Sequence, residues 1–311
     1  MASPTAKLGH GYDAVFSPNG KYLATMPTSS AAKLFRVGDW RQIATLTGIK
    51  YPRFIAFLKS SRLALVAAIQ AQAAMYEIPS GKLVRKWKSP HGEFGAKTIT
   101  PDGEHFVCSE DRVGLCLYAI DSGKLVDKVP IGDGPQHEGC SVRAAEFSPD
   151  GKYLCTLWKA FHPKENRMMI TIRSWPGRKV LREFAIGLGA RECPIRLGKK
   201  KSCIYASRGG NGVFGASGID EVNASTGKIT ALPLRMPEEV DYFGFQFSVC
   251  GTRLIVWHEG NISIRDSRGA KDLNRIDMKP SDRIFAATLS PDREYLAVGT
   301  GHIHVWKLPN G

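Results

Sequence analysis

The sequence predicts an all-β fold made of seven similar units, each holding about four short antiparallel strands. A hairpin-like motif returns along the whole length of 311 residues, and a turn that usually contains glycine follows each copy by roughly 20–30 residues. Hydrophobic residues make up 43% of the chain and charged residues 23%. This composition is ordinary for a globular protein, so it excludes extensive disorder.

The motif is clearest at residues 14–24, 145–155 and 287–297, where an apolar run meets Ser-Pro, then Asn or Asp, then a second apolar run. Proline suits the second position of a tight turn because its φ is fixed, and Asn, Asp and Gly favour the return of the chain. Weaker copies fall at 57–63, 98–106, 195–204 and 246–254. The seven anchor residues are Phe16, Phe57, Ile99, Phe147, Ile195, Phe247 and Leu289.

The anchors are spaced by 41 to 52 residues. A repeat of this length with four strands per unit is typical of a β-propeller blade. We therefore expect a seven-bladed β-propeller of four-stranded antiparallel blades, closed by an N-terminal strand that completes the last blade and removes an open sheet edge. The prediction is one domain over 1–311, with approximate blades 9–46, 47–87, 88–129, 130–184, 185–234, 235–277 and 278–311 plus 4–8.

The Ser-Pro-Asp-Gly-type turns, and third strands that end in an aromatic or apolar pair such as Leu34-Phe35 or Val305-Trp306, resemble the WD-repeat β-propeller family over nearly the whole chain. The chain departs from the family pattern. No repeat carries the Trp-Asp dipeptide, Val305-Trp306 is followed by Lys307, and a Gly-His pair opens a repeat only at Gly9-His10. The resemblance implies a non-catalytic scaffold that binds a protein or peptide partner on its loop face, as a monomeric ring within a larger complex.

Candidate partner-binding residues lie four residues before the anchors, where the innermost strands begin. A ring of arginines and aromatic side chains suits a partner with carboxylates or phosphates and planar groups. The alternative is that the arginines pair with adjacent carboxylates and only close the mouth of the central channel of the propeller. The seven positions are Tyr12, Arg53, Gly95, Arg143, Arg191, Phe243 and Phe285.

Two loops between second and third strands are predicted to be long. Residues 158–167 mix aromatic and basic side chains, which suits stacking on bases or holding a peptide side chain. The alternative is that Trp158 and Phe161 pack on the neighbouring blade. Residues 207–218 are rich in glycine and are followed by a strand rather than a helix, so a partner-contacting loop is favoured over a phosphate site. The candidate residues of the two loops are Trp158, Phe161, His162, Arg167 and Arg208.

The net charge of +14 is uneven, because residues 1–100 hold 14 basic and 4 acidic side chains and residues 151–208 hold 14 and 3. Concentrated basic charge favours an anionic partner. The second hypothesis is therefore an RNA- or ribosome-associated propeller that contacts the RNA backbone. The alternative is that these charges aid solubility and protect strand edges. The candidate contacts are Lys82, Arg85, Lys86, Lys88, Arg178, Lys179, Lys199, Lys200 and Lys201.

Catalysis, a cofactor and a metal ion are not expected. His302 and His304 lie on one face of a predicted strand without a third ligand nearby in sequence, and no Gly-x-Ser-x-Gly turn occurs. A propeller enzyme is the least favoured hypothesis.

The seven cysteines form no Cys-x-x-Cys pair. No apolar stretch approaches the ~20 residues of a membrane span, and no secretory signal is visible. We therefore expect a cytoplasmic protein with reduced thiols and no membrane partner.

Overall fold

A computed structural model gives the fold of the chain, and the residues that it describes contain strands and no helix. No segment among them forms a helix able to cross a membrane. The described residues are 3–27, 30–68, 70–89, 94–110, 114–131, 140–148, 150–159, 168–186, 195–197, 203–209, 216–223, 226, 228–234, 243–248, 251–258, 260–279 and 282–309.

The strands are short and follow one another closely along the chain. The first nine are β1 (Ala6–Gly11), β2 (Asp13–Phe16), β3 (Tyr22–Met26), β4 (Ala32–Arg36), β5 (Gln42–Leu46), β6 (Pro52–Phe57), β7 (Leu63–Ala68), β8 (Gln72–Glu77) and β9 (Leu83–Lys88). The next twelve are β10 (Phe94–Ile99), β11 (His105–Glu110), β12 (Gly114–Ala119), β13 (Leu125–Val129), β14 (Ser141–Phe147), β15 (Tyr153–Lys159), β16 (Met168–Ser174), β17 (Val180–Ile186), β18 (Ile195–Leu197), β19 (Cys203–Gly209), β20 (Ala216–Asn223) and β21 (Ile229–Ala231). The last seven are β22 (Phe243–Phe247), β23 (Arg253–His258), β24 (Asn261–Asp266), β25 (Asp272–Asp277), β26 (Ala286–Leu289), β27 (Tyr295–Gly299) and β28 (Gly301–Lys307).

In the described part of the chain these strands form seven four-stranded antiparallel sheets. Six sheets contain four consecutive strands in chain order, from β2–β5 to β22–β25. The seventh has the order β1-β28-β27-β26, in which Ala6 pairs with Val305 and Gly11 with Gly301. The predicted fold class is confirmed, including an N-terminal strand that completes the last blade. This strand is Ala6–Gly11 rather than the predicted 4–8, so residues 9–11 belong to the sheet of the last blade and not to the first.

The recurring turn explains the first hairpin of several blades. The Ser148 hydroxyl donates to Asp150 Oδ1 at 2.7 Å and accepts the Tyr153 N–H at 2.9 Å. Gly151 closes the turn with a φ of 72° and donates its N–H to the Ser148 carbonyl at 2.8 Å, a conformation that favours glycine. The hydroxyls of Thr100 and Ser290 make the same two hydrogen bonds, one donated to an aspartate Oδ1 and one accepted from a main-chain N–H. The motif is therefore a hydrogen-bonded unit that fixes the start of the second strand of each of these blades.

The chain divides into two compact units, of which unit 1 contains residues 1–88 and 243–311. One apolar cluster of unit 1 packs the sheets β2–β5 and β6–β9 together through side chains such as Leu34, Val66 and Tyr76. A second cluster packs the sheet of β1 and β26–β28 against β2–β5, and includes Phe16 and Val305. These three sheets of unit 1 thus contribute apolar side chains to cores between neighbouring sheets.

Unit 2 contains residues 89–242 and is built in the same way. Val107 and Leu115 of one sheet pack with Trp158 of the next. Ile170 then packs with Ile204 of the following sheet. Because successive residues of a strand point to opposite faces, the middle sheet, β14–β17, buries apolar side chains on both of its faces.

Candidate functional site

An aromatic and cationic cluster lies in unit 1 where two innermost strands begin. Tyr12 directly precedes β2, and Phe285 directly precedes β26. Their rings meet edge to face with centroids 4.7 Å apart. The guanidinium carbon of Arg283 lies 5.4 Å from the centroid of the Phe285 ring. Arg283 is exposed and both rings are half-buried, so the cluster presents aromatic and cationic groups to solvent. We call these three residues the Tyr12–Phe285 cluster.

The backbone around this cluster holds the two rings together. The Tyr12 N–H donates to the Met26 carbonyl at 3.0 Å, and the Phe285 N–H donates to the Gly299 carbonyl at 2.8 Å. Gly299 approaches Tyr12 so closely that a Cβ atom there would overlap the carbonyl carbon and oxygen of Tyr12. Glycine at position 299 thus permits the contact between the ends of β27 and β2, and that contact places Tyr12 beside Phe285.

Arg53 and Arg143 are exposed because each lies at a break in strand register. In β6 the register shifts between Pro52 and Phe54, and in β14 it shifts between Val142 and Ala144. A bulge leaves its extra residue unpaired and can redirect that side chain. The Arg53 guanidinium donates to the Pro52 carbonyl at 3.4 Å. Gly95, the equivalent position of β10, is exposed and lies in a register shift between Phe94 and Lys97.

The structure corrects the placement of Trp158. This residue lies inside β15 rather than in a loop, and it is 2% exposed. It packs with Val107 and Leu115 of the preceding sheet, and its Nε1 donates to the Thr171 hydroxyl at 2.8 Å. For Trp158 the alternative interpretation, packing on the neighbouring blade, is therefore the one that the structure shows; Phe161, the other residue of that alternative, lies outside the described residues. A buried side chain with a satisfied indole N–H is not available to a partner.

Arg178 is likewise bound within the protein. Its guanidinium forms an ion pair with the Asp127 carboxylate, and its guanidinium carbon lies 5.6 Å from the centroid of the Trp175 ring. The hydrogen bond from Arg178, followed by one from the Lys128 N–H, lowers the pKa of Asp127. Arg178 therefore joins the turn after β16 to β13 within unit 2. Lys179, the next residue, is exposed.

The structure places four of the candidate RNA contacts on or beside the outer strand of one blade. Lys82, Arg85, Lys86 and Lys88 are exposed along β9 and the residues before it. The Lys86 ammonium donates to the Gly48 carbonyl at 2.7 Å. β9 is the last strand of its sheet, and it also exposes apolar side chains, since Leu83 is 43% and Val84 53% exposed.

Several candidate residues cannot be placed in the site. Phe243 lies in β22. Arg208, predicted from the sequence to lie in a loop, instead lies in strand β19, where it pairs in register with Gly218 of β20; the side chains of Phe243 and Arg208 are not described. The candidates that lie outside the described residues are Phe161, His162, Arg167, Arg191, Lys199, Lys200 and Lys201.

Two cysteines face each other in unit 2, where Cys108 of β11 pairs in register with Cys116 of β12. Burial, with a further effect of the nearby Glu110 carboxylate, raises the pKa of Cys116 to about 12 and that of Cys108 well above its usual range. The Tyr118 hydroxyl donates to Glu110 Oε1 at 2.5 Å. The thiolate is the nucleophilic form of cysteine, so burial keeps these two thiols in the protonated, less nucleophilic form at neutral pH.

Among the described residues, one group of three side chains of the types that bind metal ions lies close together. The ligand atoms of Asp102, Glu104 and His105 lie within 4.8 Å of one another. Both carboxylates are exposed. Asp102 Oδ1 already accepts hydrogen bonds from the Thr100 hydroxyl at 2.5 Å and the Glu104 N–H at 2.9 Å. These bonds belong to the recurring turn, which accounts for the proximity of the group.

Comparisons with known proteins identify the class of fold. No family model and no curated protein sequence matches the chain. The β-propeller domain of Cps50 (Swd1) from Myceliophteria thermophila is similar in structure, with a TM-score of 0.78 and 14% identity over 98% of this chain and 100% of that one. Hydrazine synthase from Kuenenia stuttgartiensis has a TM-score of 0.79 and 13% identity over 100% of this chain and 99% of that one. At these identities the likeness shows the fold alone, a seven-bladed β-propeller.

Proposed function

We propose that this chain is a non-catalytic interaction scaffold, a WD-repeat-like propeller that binds a protein or peptide partner at its loop face. The observation that carries the proposal is the Tyr12–Phe285 cluster of unit 1, in which exposed Arg283 lies over one of two touching aromatic rings. Tyrosine and arginine are enriched among the residues that dominate binding energy in protein interfaces. The recurring Ser-Pro-Asp-Gly-type turns support the relation to WD repeats.

The cluster suits a partner side chain that is planar or acidic. Hydrogen bonds fix the main chain of Tyr12 and Phe285 at the start of their strands, and the two rings contact each other, so little conformational entropy is lost when a partner packs against them. Arg283 supplies a planar cation that can form two parallel hydrogen bonds with a carboxylate. Arg53 adds a second exposed cation at the start of β6 in the same unit.

The test is affinity purification from the source cells with wild-type protein and with Arg283→Ala, followed by mass spectrometry. We expect the variant to lose at least one stoichiometric protein partner, with recovery falling about tenfold or more, as for a hot-spot residue worth more than ~1.4 kcal/mol. Arg268→Ala is the matched control, because Arg268 is also an exposed arginine of unit 1 and lies in the turn after β24. If both variants recover the partner equally well, the Tyr12–Phe285 cluster is not the binding site. If wild-type protein recovers no stoichiometric partner, the proposed scaffold function is contradicted.

A second candidate function is contact with RNA backbone along β9, favoured by the exposure of Lys82, Arg85, Lys86 and Lys88. Single-stranded RNA binding should weaken with salt, with a log–log slope of about −0.7 for each phosphate contacted. A labelled single-stranded RNA is titrated at low and moderate salt with wild-type protein and with the double variant Lys82→Gln/Lys88→Gln. We expect a shallower slope for that variant and an unchanged slope for Lys271→Gln/Lys279→Gln. This function is contradicted if RNA binding is weak and insensitive to salt, or if both double variants lose the same amount of RNA affinity and salt dependence.

A further inference from the structure

Two histidines face each other across the pair of strands that completes the last blade. His10 of β1 and His302 of β28 are directly opposite in the strand register. Their ring centroids lie 4.3 Å apart and the ring planes are inclined by 35°. His10 is exposed and His302 is half-buried, so an ion from solvent can reach the pair.

The backbone directs these side chains toward each other. The register of β1 and β28 shifts between Lys7 and His10, and Gly9, inside that shift, has a φ of 82°. A bulge built around a left-handed glycine re-aims the following side chain. Within the described part of the chain, neither imidazole forms a hydrogen bond or an ion pair. None of the four ring nitrogens therefore bonds to a protein group that the structure describes.

We propose that His10 and His302 form a two-imidazole site for a divalent transition-metal ion such as Zn²⁺, with solvent completing the coordination. Imidazole nitrogen is a preferred ligand of zinc, nickel and copper ions. Two nitrogens bound to one tetrahedral zinc, each about 2.0–2.1 Å from the ion, lie roughly 3.3 Å apart. The ring centroids are 4.3 Å apart, close to this separation, and rotation about the side-chain bonds can adjust the positions of the ring nitrogens.

His304 is on the same face of β28 but is held elsewhere. Its ring stacks on Trp306 with centroids 5.7 Å apart, and its centroid is 6.5 Å from that of His302. The site thus has two protein ligands, fewer than the four of a closed structural zinc site, and binds more weakly than such a site. Its ligands come from β1 and β28, the first and the last strand of unit 1, so the bound ion cross-links the two separate chain segments that form this blade.

The test is calorimetric titration of Zn²⁺ into protein that carries no polyhistidine tag. We expect one ion per chain, and an affinity at least tenfold lower for His10→Gln and for His302→Gln, each checked for folding by circular dichroism. His10 is exposed, so its variant keeps the fold even where His302→Gln does not. His304→Gln should bind as wild type does. His105→Gln is the second control, because it removes a member of the Asp102–Glu104–His105 group.

Stability provides an independent measurement of the same site. A Zn²⁺ concentration about 100 times the dissociation constant should lower the unfolding equilibrium constant of wild-type protein about a hundredfold. That stabilisation should be absent from His10→Gln and present in His105→Gln. The proposal is overturned if wild-type protein binds no stoichiometric zinc, if His10→Gln retains wild-type affinity, or if His105→Gln alone abolishes binding.

Discussion

The indole Nε1 of Trp158 donates a hydrogen bond to the Thr171 hydroxyl at 2.8 Å, which joins β15 to β16 inside unit 2. The Thr171 hydroxyl in turn donates to Glu183 Oε2 on β17, also at 2.8 Å. Three neighbouring strands are therefore connected by a relay of side chains that begins at a nearly inaccessible tryptophan. The relay makes Trp158 a residue of the blade interior, where its contribution is measurable as stability.

Trp158→Phe should lower the free energy of unfolding by about 1–3 kcal/mol, because the Thr171 hydroxyl loses its donor and a small cavity is left. Urea denaturation followed by far-ultraviolet circular dichroism measures the change. Thr171→Val and the double variant complete a cycle, and we expect the two substitutions to be non-additive because they remove the same bond. Strict additivity would show that the bond contributes nothing.

Ser148→Ala should destabilise the protein by about 1–3 kcal/mol, because the buried hydroxyl satisfies the Tyr153 N–H and that donor would be left unpaired. Ser80→Ala is the control. Ser80 is exposed, and its hydroxyl makes bonds of 3.3 and 3.4 Å, so we expect a change within about 0.5 kcal/mol. Thermal and urea denaturation should rank the two variants in this order, and equal stabilities would contradict the importance of the recurring turn.

Gly299→Ala should destabilise unit 1 by about 1–3 kcal/mol or more, because the added methyl group meets the main chain of Tyr12, which cannot rotate away. Gly177→Ala is the matched control, since its Cβ would lie 3.4 Å from the flexible Ser174 hydroxyl. Hydrogen exchange of the amides of β2 and β27 measures the local effect. Faster exchange there in Gly299→Ala, with no change in Gly177→Ala, is the expected result. Unchanged exchange in both variants would show that the close approach is not required.

The Asp127–Arg178 ion pair should contribute to stability at neutral pH and lose that contribution in acid. The folded pKa of Asp127 is lowered, so the unfolded chain binds the proton first. The ion pair contributes to stability at pH values above the unfolded pKa of aspartate, about 3.9. This contribution disappears as the pH falls through the lower folded pKa of Asp127. Both side chains are more than a third exposed, so solvent screening limits it to less than about 1 kcal/mol.

The measurement is urea denaturation of wild-type protein and Asp127→Asn between pH 7 and pH 2.5. We expect wild-type protein to be slightly more stable near neutral pH and the two curves to converge in acid. Added salt should reduce the difference at neutral pH, because the pair is exposed to solvent. Glu77→Gln, which alters an exposed carboxylate at the end of β8, is the control. A difference that is independent of pH would contradict this account.

The repeat was sufficient to predict the fold because each copy encodes its own hairpin. The Ser148 hydroxyl, its aspartate and its glycine act within five residues, so their pattern is visible in the sequence. Trp158 was assigned to a loop because aromatic and basic residues follow one another there, and composition does not show where β15 ends. The pairing of Arg178 with Asp127 joins residues of different sheets, and no local pattern indicates it.

The candidate site was only partly predictable. Counting four residues back from the anchors identified Tyr12, Phe285 and Arg53, but it gave no sign of the bulge that exposes Arg53. Arg283 was missed because it lies two residues before the aligned position. The signal that could have identified Arg283 is an arginine two residues before an aromatic residue at the aligned position. The contact of His10 with His302 requires the strand register of β1 and β28. The sequence prediction ended the closing strand at residue 8 and placed His10 in the first blade.

The discontinuity of unit 1 determines when it can assemble during translation. Its residues 1–88 are made before all of unit 2, and its residues 243–311 after it. At synthesis rates of about 5–20 residues per second, β1 waits roughly 15–60 s for β28. During that interval β1 has an unpaired edge, so a nascent chain that stalls before β28 leaves this segment open to chaperones or to pairing with a foreign strand.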